Sequence, residues 1–166
     1  MNEFILADAN MCIGCRTCEI ACSLAHSSQA TLDHGNFYPR LVVNKLSEVS
    51  VPVMCHQCDN APCVSVCPTA ALTRGKRSVE ADASRCIGCL SCMVACPFGV
   101  ISIESPPATA GFSIIKCDLC ASREAGPACV EVCPTFALKK TLPVKLDELK
   151  TQRRESTAFQ RPAGKR

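Results

Sequence analysis

Sixteen of the 166 residues are cysteine, and each of them belongs to one of four groups of four along the chain. A thiolate sulfur binds zinc or iron, and a free thiol can also form a disulfide or act as a nucleophile. Groups one and three contain Cys12, Cys15, Cys18, Cys22 and Cys86, Cys89, Cys92, Cys96. Groups two and four contain Cys55, Cys58, Cys63, Cys67 and Cys117, Cys120, Cys129, Cys133. This grouping indicates several metal centres.

The spacing within the groups selects among metals. Groups one and three follow C-x2-C-x2-C-x3-C, in which three thiolates bind one [4Fe–4S] cube and the fourth binds a neighbouring cube. Groups two and four keep the first pair and the closing Cys-Pro, but they carry inserts over 59–62 and 121–128. Four zinc sites or a disulfide scaffold are the alternatives, yet zinc needs neither the third cysteine at that spacing nor the trailing proline. The sequence therefore predicts four [4Fe–4S] clusters, with no ligand role for His26, His34 or His56.

The composition indicates how such a chain is stabilised. There is no Trp, one Tyr and six Phe, so the apolar core is modest and the clusters are expected to replace it. No apolar run approaches the roughly 18 residues of a membrane span, and no secretory signal is visible. Cysteines without an export signal predict a cytoplasmic metalloprotein and argue against disulfides. Residues 139–166 carry nine basic and three acidic residues, but the tail lacks interleaved aromatics and does not predict nucleic-acid binding.

Local patterns predict the elements that position the cysteines. Strands are expected over 3–7, 40–46, 51–54, 79–82, 100–104, 112–116 and 136–140. Helices are expected near 16–25, 62–67, 90–95 and 127–133, with the first able to continue past Cys22 because Ser23 replaces the usual proline. A surface helix is expected over 144–157, a loop over 106–111 and a disordered end over 160–166. The predicted fold class is α+β, built from two ferredoxin-like units.

Because each group gives three ligands to one cube and one to another, the groups must act in pairs, and three pairings are possible. The shortest separation, 19 positions from Cys67 to Cys86, favours pairing groups two and three, which leaves one with four. The predicted strands at the two ends, which include Phe4–Ala7 and 136–138, can then pair with each other. The spacing alone leaves the other pairings open.

Several motifs around the cysteines resemble one known family. They are Ala7-Asp8 ahead of Cys12-Ile13-Gly14-Cys15, Asn60-Ala61-Pro62-Cys63, Lys116-Cys117-Asp118-Leu119-Cys120 and Gly126-Pro127-Ala128-Cys129. Over about residues 1–142 the chain resembles the four-cluster ferredoxin-type electron-transfer subunits of the formate hydrogenlyase, formate dehydrogenase and dimethyl sulfoxide reductase systems. The similarity is greatest to the short, soluble carriers of the formate hydrogenlyase type.

The resemblance implies a nested pairing of the groups. It assigns cluster 1 to Cys12, Cys15, Cys18 and Cys133, and cluster 2 to Cys55, Cys58, Cys63 and Cys96. It assigns cluster 3 to Cys86, Cys89, Cys92 and Cys67, and cluster 4 to Cys117, Cys120, Cys129 and Cys22. Residues 1–50 with 105–142 would form an outer module, 51–104 an inner module and 143–166 a basic tail.

The predicted function follows from these closed sites. A cube held by four cysteines has no open iron position, and the chain shows no phosphate loop, zinc-protease motif or nucleophile elbow. The sequence therefore predicts an electron relay without a catalytic site. The resemblance implies a molybdenum or tungsten formate dehydrogenase-type donor, a hydrogenase or other reductase subunit as acceptor, and no membrane span. The alternatives are an accessory or maturation factor for such an enzyme, and a redox-sensing or nucleic-acid-binding cluster protein that uses the tail.

Overall fold

The computed structural model of the chain describes residues 2–27, 29, 31–105 and 111–159. In these residues, short strands alternate with short helices. The strands are β1 (Phe4–Ala7), β2 (Leu41–Lys45), β3 (Ser50–Met54), β4 (Leu72–Arg74), β5 (Val79–Ala81), β6 (Ser102–Glu104), β7 (Ser113–Ile115) and β8 (Leu138–Thr141). The helices are α1 (Thr17–His26), α2 (Pro62–Ser65), α3 (Ser91–Ala95), α4 (Ala128–Glu131) and α5 (Lys145–Ala158). The mixture confirms the predicted α+β class.

These strands pair antiparallel into four two-stranded sheets, β1–β8, β2–β3, β4–β5 and β6–β7. The β1–β8 sheet joins the two ends of the cysteine-bearing body, with Phe4 opposite Thr141 and Ala7 opposite Leu138. This confirms the predicted pairing of the end segments. An isolated two-stranded sheet is marginally stable in water, so the sheets must draw stability from the helices and centres that they flank.

The two halves of the body repeat the same backbone. Each cysteine of group three lies 74 positions after its counterpart in group one. Gly14 and Gly88 both have φ +69°, and Arg16 and Leu90 both have φ +63°. The outer strands are exchanged between the halves, since β1 pairs with β8 and β4 pairs with β5. The repeat is therefore closed by strands that come from opposite ends of the chain.

The buried apolar side chains form two clusters, and cysteines belong to both. One cluster contains Ile5, Leu41, Val43, Met54, Leu119 and Leu138 with Cys18, Cys22, Cys55, Cys117 and Cys129. The other contains Ala61, Ala71, Leu72, Val79, Ile101 and Ile114 with Cys63 and Cys92. The thiols thus occupy positions that larger apolar side chains fill in ordinary cores.

Several predicted elements need adjustment. Strand β4 was not predicted, because Leu72-Thr73-Arg74 offers a single apolar residue to a local pattern. Strand β8 begins at Leu138 and not at 136, because Phe136 has φ +54°, which no strand residue adopts. The predicted surface helix is confirmed as α5. Residues 106–110 of the predicted loop and the predicted disordered end at 160–166 lie outside the described residues.

Candidate metal centres

Three cavities are each lined by four cysteines from two different groups. One is lined by Cys12, Cys15, Cys18 and Cys133. A second is lined by Cys55, Cys58, Cys63 and Cys96, and a third by Cys67, Cys86, Cys89 and Cys92. Their empty volumes are nearly equal, about 320, 310 and 320 Å³. Three spaces of one size with the same donor set are suited to one kind of thiolate-bound group.

The remaining four cysteines, Cys22, Cys117, Cys120 and Cys129, lie near one another and are all buried. Burial, followed by the neighbouring thiolates of Cys117, Cys22 and Cys120, raises the pKa of the Cys129 thiol. Burial likewise raises the pKa of Cys117 to about 12, with Cys22 among the groups that add to the rise. As thiolates these four buried groups would repel one another, and a bound metal cation would offset that repulsion.

The backbone turns that present the cysteines require glycine at two equivalent places. Gly14 and Gly88 have left-handed φ values of +69°, a region that L side chains rarely adopt. A Cβ at Gly14 would lie 2.7 Å from Ser50 Oγ, and one at Gly88 would lie 2.5 Å from Phe112 Cζ. Each loop therefore turns tightly beneath a side chain from the following hairpin. Helix α1 or α3 then begins just before the third cysteine of its group.

The helix lengths place the fourth cysteine of each group. In α3 the helix ends at Ala95, directly before Cys96 and Pro97. In α1 it continues for four residues beyond Cys22, as the missing proline predicts, and ends at His26. Cys22 lies one turn after Cys18 on α1, and Cys18 lines the cavity of Cys12, Cys15 and Cys133 whereas Cys22 does not. Helices α2 and α4 are single turns that carry Cys63 and Cys129.

Local hydrogen bonds favour the thiolate form that metals bind. Backbone amides of Arg40, Gln57 and Ala71 donate to Cys22, Cys55 and Cys67 Sγ over 3.3, 3.4 and 3.2 Å. The Thr17 hydroxyl donates to Cys15 Sγ over 3.4 Å, and the Thr17 side chain and backbone lower the pKa of that thiol. Backbone and side-chain bonds from Ser91 lower the pKa of Cys89 in the same way. The donor sets therefore fit thiolate-bound clusters without rearrangement of these loops.

Exposure differs among the four sets. Cys15 and Cys89 are exposed, whereas every member of the set containing Cys22 and Cys117 is buried. The set containing Cys55 and Cys63 is intermediate, with two buried and two half-buried members. Two of the candidate centres therefore approach the surface, and one lies in the interior.

Sequence reasoning missed a group of charged residues beside the buried set. His26 Nε2 lies 3.0 Å from Asp118 Oδ1, and Arg40 Nη1 lies 2.7 Å from Asp118 Oδ2. His26 Nδ1 also lies 2.7 Å from the carbonyl oxygen of Cys22. Burial would lower the pKa of His26, but hydrogen bonds with Asp118, Cys120 and Cys22 raise it to about 12. Asp118 belongs to a cysteine motif noted in the sequence, but no local pattern predicts that His26 and Arg40 bind it.

His56 and the two inserts at 59–62 and 121–128 lie close to the candidate centres or on the surface. His56 stacks on Phe98 with ring centroids 4.1 Å apart beside the second cavity, and burial lowers its pKa. Asp59 and Asn60 of the first insert are exposed, and so are four of the eight residues of the second. However, Arg123 in the second insert binds Glu131 Oε2 on α4 over 3.0 Å, so it contributes to the structure.

None of the helices in the described ranges is both long enough and apolar enough to cross a bilayer.

Comparison with known proteins places these centres in context. Residues 47–141 match the 4Fe-4S dicluster domain family. The chain is 44% identical to Electron transport protein HydN of Escherichia coli (strain K12), covering 96% of this chain and 99% of HydN. It is 38% identical to Formate hydrogenlyase subunit 2 of the same strain, covering 95% of this chain and 90% of that protein. It is also 45% identical to AegA of that strain over 96% of this chain, which spans about a quarter (25%) of AegA.

Proposed function

Because the chain belongs to the 4Fe-4S dicluster family and is an iron–sulfur electron carrier, we propose that it relays single electrons through four cubes. The electrons would pass from a molybdenum or tungsten formate dehydrogenase-type catalytic subunit to a hydrogenase or another reductase subunit. The observation that supports the proposal is that three cavities are each lined by four cysteines from two groups, while the remaining four cysteines are buried and affect one another's pKa. Relationship to HydN and to Formate hydrogenlyase subunit 2 supports the choice of partners.

The ligand sets in this proposal are the nested ones. Cluster 1 is held by Cys12, Cys15, Cys18 and Cys133, and cluster 2 by Cys55, Cys58, Cys63 and Cys96. Cluster 3 is held by Cys86, Cys89, Cys92 and Cys67, and cluster 4 by Cys117, Cys120, Cys129 and Cys22. The shared cavities support the first three sets, and the mutual effects of the buried thiols support the fourth. The exchanged pairing of β1 with β8 and β4 with β5 supports an outer module of 1–50 with 105–142 around an inner module of 51–104.

When bound, each [4Fe–4S] cluster accepts or donates one electron at a potential that its surroundings adjust. The contribution of the protein is to hold the thiolates, to restrict solvent and to space the clusters. Since all four positions around each cluster are taken by cysteine, we propose that this chain has no catalytic site of its own. The same proposal places the carrier in the cytoplasm, where thiols remain reduced.

The exposure of the sulfurs indicates which centres the partners approach. In this proposal the partners approach the centres that contain Cys15 and Cys89, because these are the exposed cysteines. The buried centre containing Cys22 and Cys117 would then be an internal step. Electrons would enter near one exposed sulfur and leave near the other, although the partners decide the direction.

The test begins with anaerobic purification and measurement of iron and acid-labile sulfide. We expect about sixteen of each per chain, four cubes' worth, and EPR signals that develop on titration with dithionite. The purified carrier should then be reduced by formate in the presence of the dehydrogenase and reoxidised by a hydrogenase. A reproducible count near eight after full reconstitution would reject the four-cluster relay. A full count without reduction by any formate dehydrogenase would reject the partners and favour an accessory role.

A further inference from the structure

A lysine ammonium is buried between the loops of the second and fourth groups of cysteines. Lys116 is 2% exposed, although lysine is almost never fully buried unless it is paired. It immediately precedes Cys117 of the fourth set. Its Nζ atom bonds to Gln57, which stands between Cys55 and Cys58 of the second set. The side chain therefore reaches from the loop of one proposed centre to the loop of another.

The hydrogen bonds of Lys116 identify its charge state. Nζ lies 2.7 Å from the carbonyl oxygen of Cys117, 2.8 Å from that of Val79 and 3.3 Å from Gln57 Oε1. All three partners are acceptors, and three acceptors require three N–H donors, which only the charged ammonium has. Gln57 Oε1 is fixed as an acceptor because it also receives the backbone N–H of Val79 over 2.9 Å. Lys116 is thus a positive charge with all its hydrogens directed at oxygen.

No carboxylate within the described part of the chain pairs with this ammonium. A buried charge without a counter-charge is costly, and three neutral acceptors offset only part of that cost. The nearby anions are the cysteine sulfurs. Nζ bonds to the carbonyl oxygen of Cys117, a proposed ligand of cluster 4, and to Gln57, whose neighbours Cys55 and Cys58 are proposed ligands of cluster 2. One cation therefore lies against the loops of two proposed ligand sets.

The internal repeat of the chain shows that this polar arrangement is not needed for the fold. The position equivalent to Lys116 in the first half is Met54, and the position equivalent to Gln57 in the second half is Leu119, each 62 residues away. Both counterparts are buried, and both belong to one apolar cluster. Gln57 and Leu119 share the left-handed conformation, with φ +51° and +59°. The same backbone therefore accepts an apolar pair at one place and a charged pair at the other.

We propose that the Lys116 ammonium is a fixed positive charge that raises the reduction potentials of clusters 2 and 4 together. This inference rests on the ligand sets of the proposed function. Reduction adds one negative charge to a cluster in a poorly solvated interior, and a nearby cation stabilises that charge. Gln57 acts as a positioning residue, because it holds the ammonium between the two centres. The effect falls where an electron would cross from the outer to the inner module.

The proposed effect of Lys116 can be tested by giving its site the residues that the other half of the repeat has at the equivalent positions. The double variant Lys116→Met with Gln57→Leu copies the apolar counterpart pair, so packing should be retained while the charge is removed. We expect a full iron count and a roughly tenfold lower ratio of reduced to oxidised cluster at fixed solution potential, in two of the four clusters. The other two should titrate as in the wild type. The measurement is EPR during dithionite titration, with clusters assigned through single Cys→Ser variants in sets 1 and 3.

Two further variants make the result decisive. Gln57→Leu alone keeps the charge but removes one of its three acceptors, so it should shift the same two potentials by less than the double variant does. Lys116→Gln removes the charge but keeps a polar group that can hydrogen-bond, so it should reproduce the shift of the double variant. Unchanged potentials in a fully loaded double variant would overturn the inference. Loss of iron from both the double variant and Lys116→Gln would overturn it too, because the ammonium would then be needed to build the centres. A wild-type count below four clusters would contradict the proposed function instead.

Discussion

His26 Nε2 lies 3.0 Å from Asp118 Oδ1, which joins the end of α1 to a residue 92 positions further along the chain. Arg40 holds the second oxygen of the same carboxylate, and the backbone amide of Cys120 donates to Oδ1 over 3.0 Å. These bonds bring the helix that carries Cys22 to the loop that carries Cys117 and Cys120. A fully buried set of thiols is thus assembled by charged groups at its edge.

The His26–Asp118 pair should make cluster retention depend on pH. Hydrogen bonding raises the pKa of His26 to about 12 in the folded chain, well above the 6.5 of an unperturbed histidine. The stabilisation is therefore complete below pH 6.5 and is lost progressively as the pH rises toward 12. We expect the wild type to lose its clusters more slowly than His26→Gln at pH 6, with a smaller difference at pH 9. Anaerobic absorbance decay in guanidinium measures both rates, and a difference that grows with pH would contradict this account.

Cys22→Ser and Cys117→Ser should damage the same cluster, although 95 positions separate the two residues. The reason is that both thiols lie in one buried set, where their charges raise the pKa of Cys129. Cys18→Ser is the matched control, because Cys18 lies on the same helix as Cys22 but lines the cavity of Cys12 and Cys133. EPR spectra of the reduced proteins compare the lost signals. If Cys22→Ser and Cys18→Ser remove the same signal, the nested assignment is wrong.

Gly88→Ala should cost cluster 3 much of its stability. The substitution forces an L residue to φ +69° and places a Cβ 2.5 Å from Phe112 Cζ. The left-handed conformation alone costs about 1–2 kcal/mol, and the clash adds to it. Gly99→Ala is the control, because it has φ +61° but nothing within 4 Å of the added carbon. Chemical unfolding of the loaded proteins should show a larger loss for Gly88→Ala, and equal losses would mean that Phe112 moves freely.

The cysteine loops could be predicted from the sequence more completely than the hydrogen bonds and ion pairs around them. The cysteine spacing and the Gly positions are local, so the loops, the helices at the third cysteines and the longer α1 could all be predicted. The bonds between His26 and Asp118, and between Lys116 and Gln57, join segments 92 and 59 positions apart. No local pattern distinguishes a buried lysine from a solvated one, and only the tertiary packing of the two loops decides. Strand β4 could not be predicted for the same reason. Its extended conformation depends on pairing with β5 and is not indicated by its own residues.

Removal of the chain after Leu142 should leave the iron content unchanged. The described side chains of α5 are exposed or half-buried, and the helix carries four basic and three acidic residues. Most of the positive excess of 143–166 thus lies in Arg161, Lys165 and Arg166, which the truncation removes. If the tail helps to dock an acidic partner, truncation should slow electron transfer at low salt and weaken its salt dependence.

Stopped-flow reduction by the dehydrogenase compares the truncated and full-length chains. A second variant, Glu124→Ala, tests whether the second insert, residues 121–128, takes part in docking. Arg123 is left in place, because it binds Glu131 on α4 and its removal would disturb that helix. Loss of iron on truncation would show that α5 stabilises the body. Equal transfer rates at low salt in both variants would exclude both segments as docking surfaces.

The pairing of β1 with β8 also sets an order for biosynthesis. Phe4 leaves the ribosome early, but its partner Thr141 is made more than 130 residues later. At ordinary elongation rates the first strand waits on the order of ten seconds without its neighbour. During that time the thiols of the first group are presented on an incomplete scaffold, while β4 and β5 can already pair over a short loop. Under the proposed ligand sets, clusters 1 and 4 can be completed only after the cysteines at 117–133 have been made, long after the first group has left the ribosome.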